Sequence, residues 1–246
     1  MSQQNIFDNE AFFEGYKAIR DADGNANDLF EIPALFSLLP PLTDCRVLDL
    51  GCGYGEHCEA YVGMGARRVV GIDISDRMLS VARAEHAHPR ITYLHLPMES
   101  VREVEGPFDV VVSSLALHYV EDFAALAADV YSLLAEGGVF VFSQEHPLNT
   151  SYSGGERWTV DETGAKRYLN LADYGVEGRR TYRWLVDGVE CYHRTFSTIV
   201  NDLVAAGFAV ERVLEPLPTE AVLEVYPKYK SMYHMPYFLV VKAIKR

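Results

Sequence analysis

Three glycines at alternate positions end the apolar run Val47-Leu48-Asp49-Leu50-Gly51-Cys52-Gly53-Tyr54-Gly55. Glycine weakens strand and helix interiors, so the cluster marks backbone that must turn sharply or lie against something closely. An acid follows in Val70-Gly71-Ile72-Asp73-Ile74-Ser75. It stands about 20 residues past the turn, the interval at which a carboxylate on a second strand tip accepts hydrogen bonds from ribose hydroxyls. Ser75 is available to cap the next helix, which leaves Asp73 for a ligand. A dinucleotide fingerprint would have its last glycine where this chain has Glu56. A carboxylate at a helix start opposes a pyrophosphate. The turn therefore suits a nucleoside without phosphates, and a cationic one.

Two histidines could move a proton at the same sheet edge. His118, in SSLALHYV, follows an expected fourth strand, and His146, in SQEHP, a fifth. Neutral imidazole is a good acceptor near neutral pH. These two rank ahead of Glu145 and Tyr119, with His193 a weaker candidate beside a long insert. Cys45, Cys52, Cys58 and Cys191 form no Cys-x-x-Cys pair, and His57 beside Cys58 has no second ligand pair. Reduced thiols and no metal site are expected.

The elements that must position these residues follow from hydrophobic period. Phe12, Phe13, Tyr16 and Ile19 lie at helical spacing, and a second apolar group runs from Leu29 to Leu39 before Pro40-Pro41. Strands are predicted at Arg46–Leu50, Val69–Asp73, Ile91–Leu96, Phe108–Val112 and Val139–Phe142. Helices alternate with them, the last ended by Gly137-Gly138. A further helix near 195–206 and strands near 209–214 and 237–243 complete the pattern. This alternation predicts an α/β fold, doubly wound around a mostly parallel seven-stranded sheet. The expected divisions are a helical lid (1–40), a core (41–149), an aromatic-rich cap (150–192) and a C-terminal part (193–246) with a second insert at 216–235. Both inserts read as irregular, without a hydrophobic period, and are rich in tyrosine; they are expected to form the wall for a small organic acceptor or a dimer surface.

Taken together, VLDLGCGYG, GIDIS, FDVVVSSLALHYV and LLAEGGVFVFSQEHP resemble the motifs of the class I S-adenosylmethionine-dependent methyltransferases, in their small-molecule branch. The likeness runs from about Phe12 to Pro147 and more loosely through the C-terminal elements. It implies S-adenosylmethionine as cofactor and S-adenosylhomocysteine as product. It also implies that Asp49 and Gly51 hold the methionine amino group, directly or through water, that Cys52 belongs to the cofactor-binding set, that Gly53 lets the cofactor cross the strand tip, and that Asp73 binds the ribose. Ile74 and Met78 would line the adenine, Ser113 and Ser114 would close the methionine side, and Tyr16 and Arg20 would form the lid. One departure is Pro97, which stands where many relatives carry an acid for the adenine amino group. That contact would pass to Met98 or Glu99.

The 246 residues carry a net charge of −13, with 35 acids against 22 bases. Polyanion affinity rests on positive surface, so nucleic acid is an unlikely partner. No run approaches the roughly 20 apolar residues of a membrane span. The opening stretch lacks the basic and apolar regions of a signal peptide, so a cytoplasmic monomer or homodimer acting on a small molecule is expected. The competing readings are a nucleic-acid methyltransferase on the same fold, a nicotinamide oxidoreductase, and a non-catalytic nucleoside sensor.

Overall fold

The computed structural model describes residues 4–246, so the first three residues of the expected lid lie outside the described residues. Seven strands form one sheet. They are β1 (Arg46–Leu50), β2 (Arg68–Asp73), β3 (Ile91–His95), β4 (Phe108–Ser113), β5 (Leu134–Glu145) and, after four further strands, β10 (Phe208–Leu214) and β11 (Phe238–Lys245). Their order is β10-β11-β5-β4-β1-β2-β3. All neighbours run parallel except β11, which is antiparallel to both β5 and β10.

The near-continuous apolar runs are explained by burial on both faces. Leu48, Leu50, Val70, Ile72, Val111, Phe140 and Phe142 pack on one side against α5 (Phe123–Leu133) and α7 (Phe196–Ala205). Val47, Val69, Val110, Val112, Val139 and Val141 face the other side. There they meet α2 (Ile32–Ser37), α3 (Glu56–Gly63) and α4 (Asp76–Glu85) through Leu35, Cys58, Tyr61 and Leu79. Strand order reverses between β1 and β4. A sheet of this kind leaves a crevice at that switch point, beyond the carboxyl ends of the strands.

Three expectations need correction. The pair Gly137-Gly138 does not end α5. Helix α5 stops at Leu133, and β5 begins at once, with a register break between its pairs Phe108–Leu134 and Val110–Val139. Gly137, at φ 75°, absorbs the irregularity inside the strand. The stretch 150–192 is not irregular. After α6 (Pro147–Thr150) it forms two antiparallel hairpins, β6 (Trp158–Val160) with β7 (Lys166–Leu169), and β8 (Gly178–Trp184) with β9 (Val186–His193). The second insert contains α8 (Glu220–Val225) and a 3₁₀ stretch, Pro227–Tyr233. Its tyrosines pack on the N-terminal region: Tyr229 donates to the Gly24 carbonyl (2.8 Å) and Tyr226 to Asp23 (3.2 Å).

The N-terminal lid is helical where expected. Asn9 caps α1 (Glu10–Arg20), accepting from Phe12 N, and a π-helical turn, Asn27–Glu31, leads into α2. Asp8 accepts from Ser75 Oγ (2.6 Å) and Arg77 N (3.1 Å), and Asn5 donates to the Ile74 carbonyl (3.0 Å). These bonds pin the segment before α1 across the tip of β2.

Candidate active site

The turn after β1 is tied to its neighbour strand through main chain. Gly51 N and Cys52 N both donate to the Ile72 carbonyl at 2.9 Å. The Asp73 carboxylate then bridges the turn and the start of α4, accepting from Gly53 N (2.9 Å) and Ser75 N (2.8 Å). Ser75 Oγ caps α4 by accepting from Met78 N. Burial pushes the Asp73 carboxyl up, and its backbone donors pull it back only in part.

All three glycines have positive φ, but for different reasons. A Cβ on Gly55 would lie 2.4 Å from Tyr93 Oη and 3.0 Å from Ala82 Cβ, so this glycine serves helix–sheet packing. A Cβ on Gly51 would meet Ala116 Cβ at 2.6 Å, because the loop after β4 comes so near. A Cβ on Gly53 would meet nothing within 4 Å of protein. Only Gly53 is bare toward open space, and that space is a cleft.

The cleft, open to solvent, spans about 980 Å³ between the tips of β1, β2 and β4 and the N-terminal segment. Gly51, Cys52, Gly53, Asp73 and Ile74 line it, as do Met78, Met98 and Ser114. Tyr16 and Arg20 reach it from α1. Sequence reasoning missed several other lining residues. Gln4, Ile6 and Phe7 belong to the segment before α1, which has no periodic pattern to place it. Leu96 and Leu115 come from strand tips, and Tyr119, weighed from sequence only as a proton carrier, lines the cleft as well. Leu115 holds φ 50°, its N–H bonded to Ser143 O (3.1 Å) and Ser143 Oγ (3.0 Å). A left-handed leucine costs roughly 1–2 kcal/mol, and these contacts hold it there.

The cleft is acidic. Burial, against a bond from Cys58 Sγ and aided by like charge on Asp73 and Glu31, raises Asp49 to about 7. Glu31 is fully buried and was not anticipated from sequence. It accepts from Ser114 Oγ (2.9 Å) and Ser143 Oγ, and its other oxygen has no partner among the described residues. Glu56 also lines the cleft, but Arg20 pairs with it at 2.8 Å. Its charge is therefore partly offset, which weakens the sequence argument against phosphates drawn from Glu56 alone. The surplus of carboxylates still favours a cation.

Four anticipated residues lie outside the cleft. Asp49 sits behind the turn, fully buried, accepting from Cys58 Sγ at 3.4 Å. Ser113 points into the sheet, where Oγ donates to the Leu50 carbonyl (2.8 Å). Pro97 caps a 3₁₀ stretch, Met98–Glu103, which buries Met98 and leaves Glu99 exposed. His118 is buried, its Nδ1 accepting weakly from Glu145 N (3.5 Å). Burial and then Arg194 push its imidazole down to about 3.

His146 lies outside the cleft too, and both its ring nitrogens are engaged. Nδ1 accepts from Leu148 N (3.1 Å), capping α6, and Nε2 pairs with Glu215 (2.8 Å). His193 is held likewise: Nε2 donates to Tyr174 O (2.9 Å), so Nδ1 accepts from Thr150 Oγ1 (2.8 Å).

A second cavity, of about 1270 Å³, opens under the β8–β9 hairpin. Glu145 at the end of β5 lines it, with Tyr152, Tyr182, Trp184, Arg157 and Arg180. An aromatic partition separates the two cavities. Tyr16 stands edge-on to Trp184 (6.1 Å between centroids) and to Phe7 (5.3 Å), and Phe7 meets Tyr119 (5.9 Å). Of the expected insert aromatics, Tyr168 is exposed instead, and Tyr174 accepts from Phe196 N through Oη.

Comparison with known proteins agrees with this geometry. Residues 47–138 match the family model described as a methyltransferase domain. An S-adenosylmethionine-dependent methyltransferase of Mesorhizobium loti, known from a crystal structure, is 40% identical with a TM-score of 0.79 over 87% of this chain and 97% of its own. An uncharacterized protein of Haemophilus influenzae is 36% identical over 98% of this chain and 96% of its length. The ubiquinone biosynthesis O-methyltransferase of Psychrobacter arcticus is 37% identical over 53% of this chain and 50% of its own length. The chain spans about half of that protein. It belongs to the class I S-adenosylmethionine-dependent methyltransferase family, and S-adenosylmethionine is its cofactor.

Two outcomes follow. Gly53→Val should leave the fold intact apart from a cost of roughly 1–2 kcal/mol for its backbone conformation, yet weaken S-adenosylhomocysteine binding at least tenfold. Gly55→Ala should instead destabilise the fold by about 1–3 kcal/mol through overpacking and spare affinity. Denaturant melts and calorimetry on both variants check the contrast. Asp49, raised to about 7 in the fold, binds its proton more tightly there than in the unfolded chain. Without cofactor, stability should therefore fall as pH rises from the ordinary carboxylate range through about 7. Asp49→Asn should flatten that fall in thermal melts recorded across this interval.

Proposed function

We propose that this methyltransferase acts on a small organic molecule held beneath the β8–β9 hairpin, by in-line displacement where the two cavities meet beside Tyr16 and Trp184. The observation that carries the reading is the second cavity, which adjoins the cofactor cleft at Tyr16 and Trp184 and presents Glu145 at its wall. The likeness to the ubiquinone biosynthesis O-methyltransferase of Psychrobacter supports it. So does the net charge of −13, which opposes a nucleic-acid acceptor.

The residues of the first cleft fit the cofactor. Asp73 spends one lone pair of each oxygen on backbone donors and offers the rest to a ribose diol. Gly53 leaves the bend bare for the sugar, and Ile74, Met78, Leu96 and Met98 supply apolar surface for adenine. Arg20 binds the carboxylate end, shared with Glu56, and the Tyr16 ring faces the sulfonium, where cation–π attraction is worth about 0.5–2 kcal/mol. Asp49 acts from behind the turn through its field, Ser113 through the Leu50 carbonyl, and Ser114 at the cleft wall beside Glu31. When bound, the cofactor supplies a methyl group on an already activated leaving group. What is left to the protein is alignment, exclusion of water and, where the nucleophile carries a proton, a place for it.

Glu145 is the proton acceptor in this reading, ahead of His118 and His146. Burial lifts its carboxyl to about 7, against a smaller opposing effect of Arg157. It is thus half-ionised near neutrality, where a general base works best. With an acceptor identified from a panel of small organic molecules, kcat should rise with pH through about 7. Glu145→Gln should lower kcat by about 10²–10⁴-fold and abolish that rise at unchanged S-adenosylhomocysteine affinity. A pH profile that survives Glu145→Gln would remove Glu145 from the role.

A further inference from the structure

The second cavity holds two arginines that form no ion-pair contact among the described residues, although Glu145 lies near enough to act on Arg157. Arg157 donates to the Asn149 side chain (2.5 Å) and lies over the Tyr152 ring, 4.1 Å from its centroid. Arg180 donates to the carbonyls of Arg179 (3.4 Å) and Val176, and its Nε is buried without a hydrogen-bond partner among the described residues. Among the described residues neither forms an ion pair, whereas their neighbours Arg179 and Arg183 pair with Glu190 (3.3 Å) and Asp187 (3.6 Å). In a chain with 35 acids and 22 bases, an arginine is easily matched with a carboxylate. Here two guanidinium groups instead face one cavity whose acid, Glu145, is only partly ionised near neutrality. A desolvated guanidinium with unfilled donors costs free energy unless an anion meets it.

We infer that the second cavity is built for a small organic acid, whose carboxylate or phosphate is held by Arg157 and Arg180 while its body lies against Tyr152, Tyr182 and Trp184. Guanidinium forks match both anions in a bidentate way, and the rings give apolar faces to the rest. The inference rests on the proposed function and adds the acceptor's chemical class. Anion binding at the arginines leaves the acceptor's X–H group to face Glu145 and the partition. In transfer, the lone pair of X forms the bond to the methyl carbon. The carbon–sulfur bond breaks with its electron pair kept by sulfur, and the X–H proton passes to the Glu145 carboxylate.

The test needs no turnover. With the full chain saturated with S-adenosylhomocysteine, binding of 4-hydroxybenzoate, phenyl phosphate and uncharged 4-hydroxybenzamide is titrated by NMR. At least one anion should bind about tenfold or more tightly than the amide, as expected for charge-assisted bonds. Whichever anion binds better identifies the headgroup. Arg157→Gln and Arg180→Gln should each remove most of the preference, and Arg157→Lys should retain part of it. Arg90→Gln, in a separate basic patch with Arg46, Arg67 and Arg68, should leave it intact. Unchanged S-adenosylhomocysteine affinity in each variant reports an intact fold. Equal binding of the amide, no binding of either anion at about 10 mM, or a preference that outlasts both glutamine variants would overturn the inference. A wild-type chain that ignores S-adenosylhomocysteine would overturn the proposed function itself, a distinct result.

Discussion

The site depends on one carboxylate bridging two pieces of backbone. Asp73 joins the glycine bend after β1 to the start of α4. Hydrogen bonds to a charged acceptor are worth about 1.5–3 kcal/mol each, more than most single contacts. They set the height of the bend over the sheet and leave the far lone pairs pointing into the cleft. Glu56 also lines the cleft, and Glu31 and Asp49 lie buried behind its wall, at a switch point where the sheet cannot close. The fold concentrates negative charge there, held by serine hydroxyls, a thiol and Arg20. A cationic nucleoside complements that field.

A second consequence concerns where a proton can go. Histidine is the usual suspect for this work, and this chain offers three at the right sheet edge. The fold uses all three as fasteners. His146 caps α6, His193 locks the hairpin to Thr150, and His118 lies in the core with its imidazole driven neutral. In the proposed reaction a glutamate takes the role they leave open. Burial gives Glu145 the proton affinity that an exposed histidine would have had.

Much of the sheet was legible because its strands are buried on both faces, so each reads as a short apolar run between helical stripes. The bend and Asp73 were legible through spacing alone. The hairpins over the second cavity were not. Their residues alternate weakly, and β8 is stabilised by pairing with β9, which in turn contacts α6, and local pattern records neither. Gly137-Gly138 misled because a glycine pair ends a helix and bulges a strand with equal ease. Glu31 lies far in sequence from the groups it serves. Glu31 meets Ser114 and Ser143 only after the switch point has formed. The direction of a side chain at a strand tip, which sets Ser113 apart from Ser114, is decided by register with β1 rather than by composition.

The central claim is best tested by the structure of the chain crystallised with S-adenosylhomocysteine. The account predicts both ribose hydroxyls within hydrogen-bond distance of Asp73, the sugar over Gly53, and the sulfur facing the Tyr16–Trp184 partition. Product bound elsewhere, or bound in the cleft with Asp73 making no contact to its sugar, would contradict it.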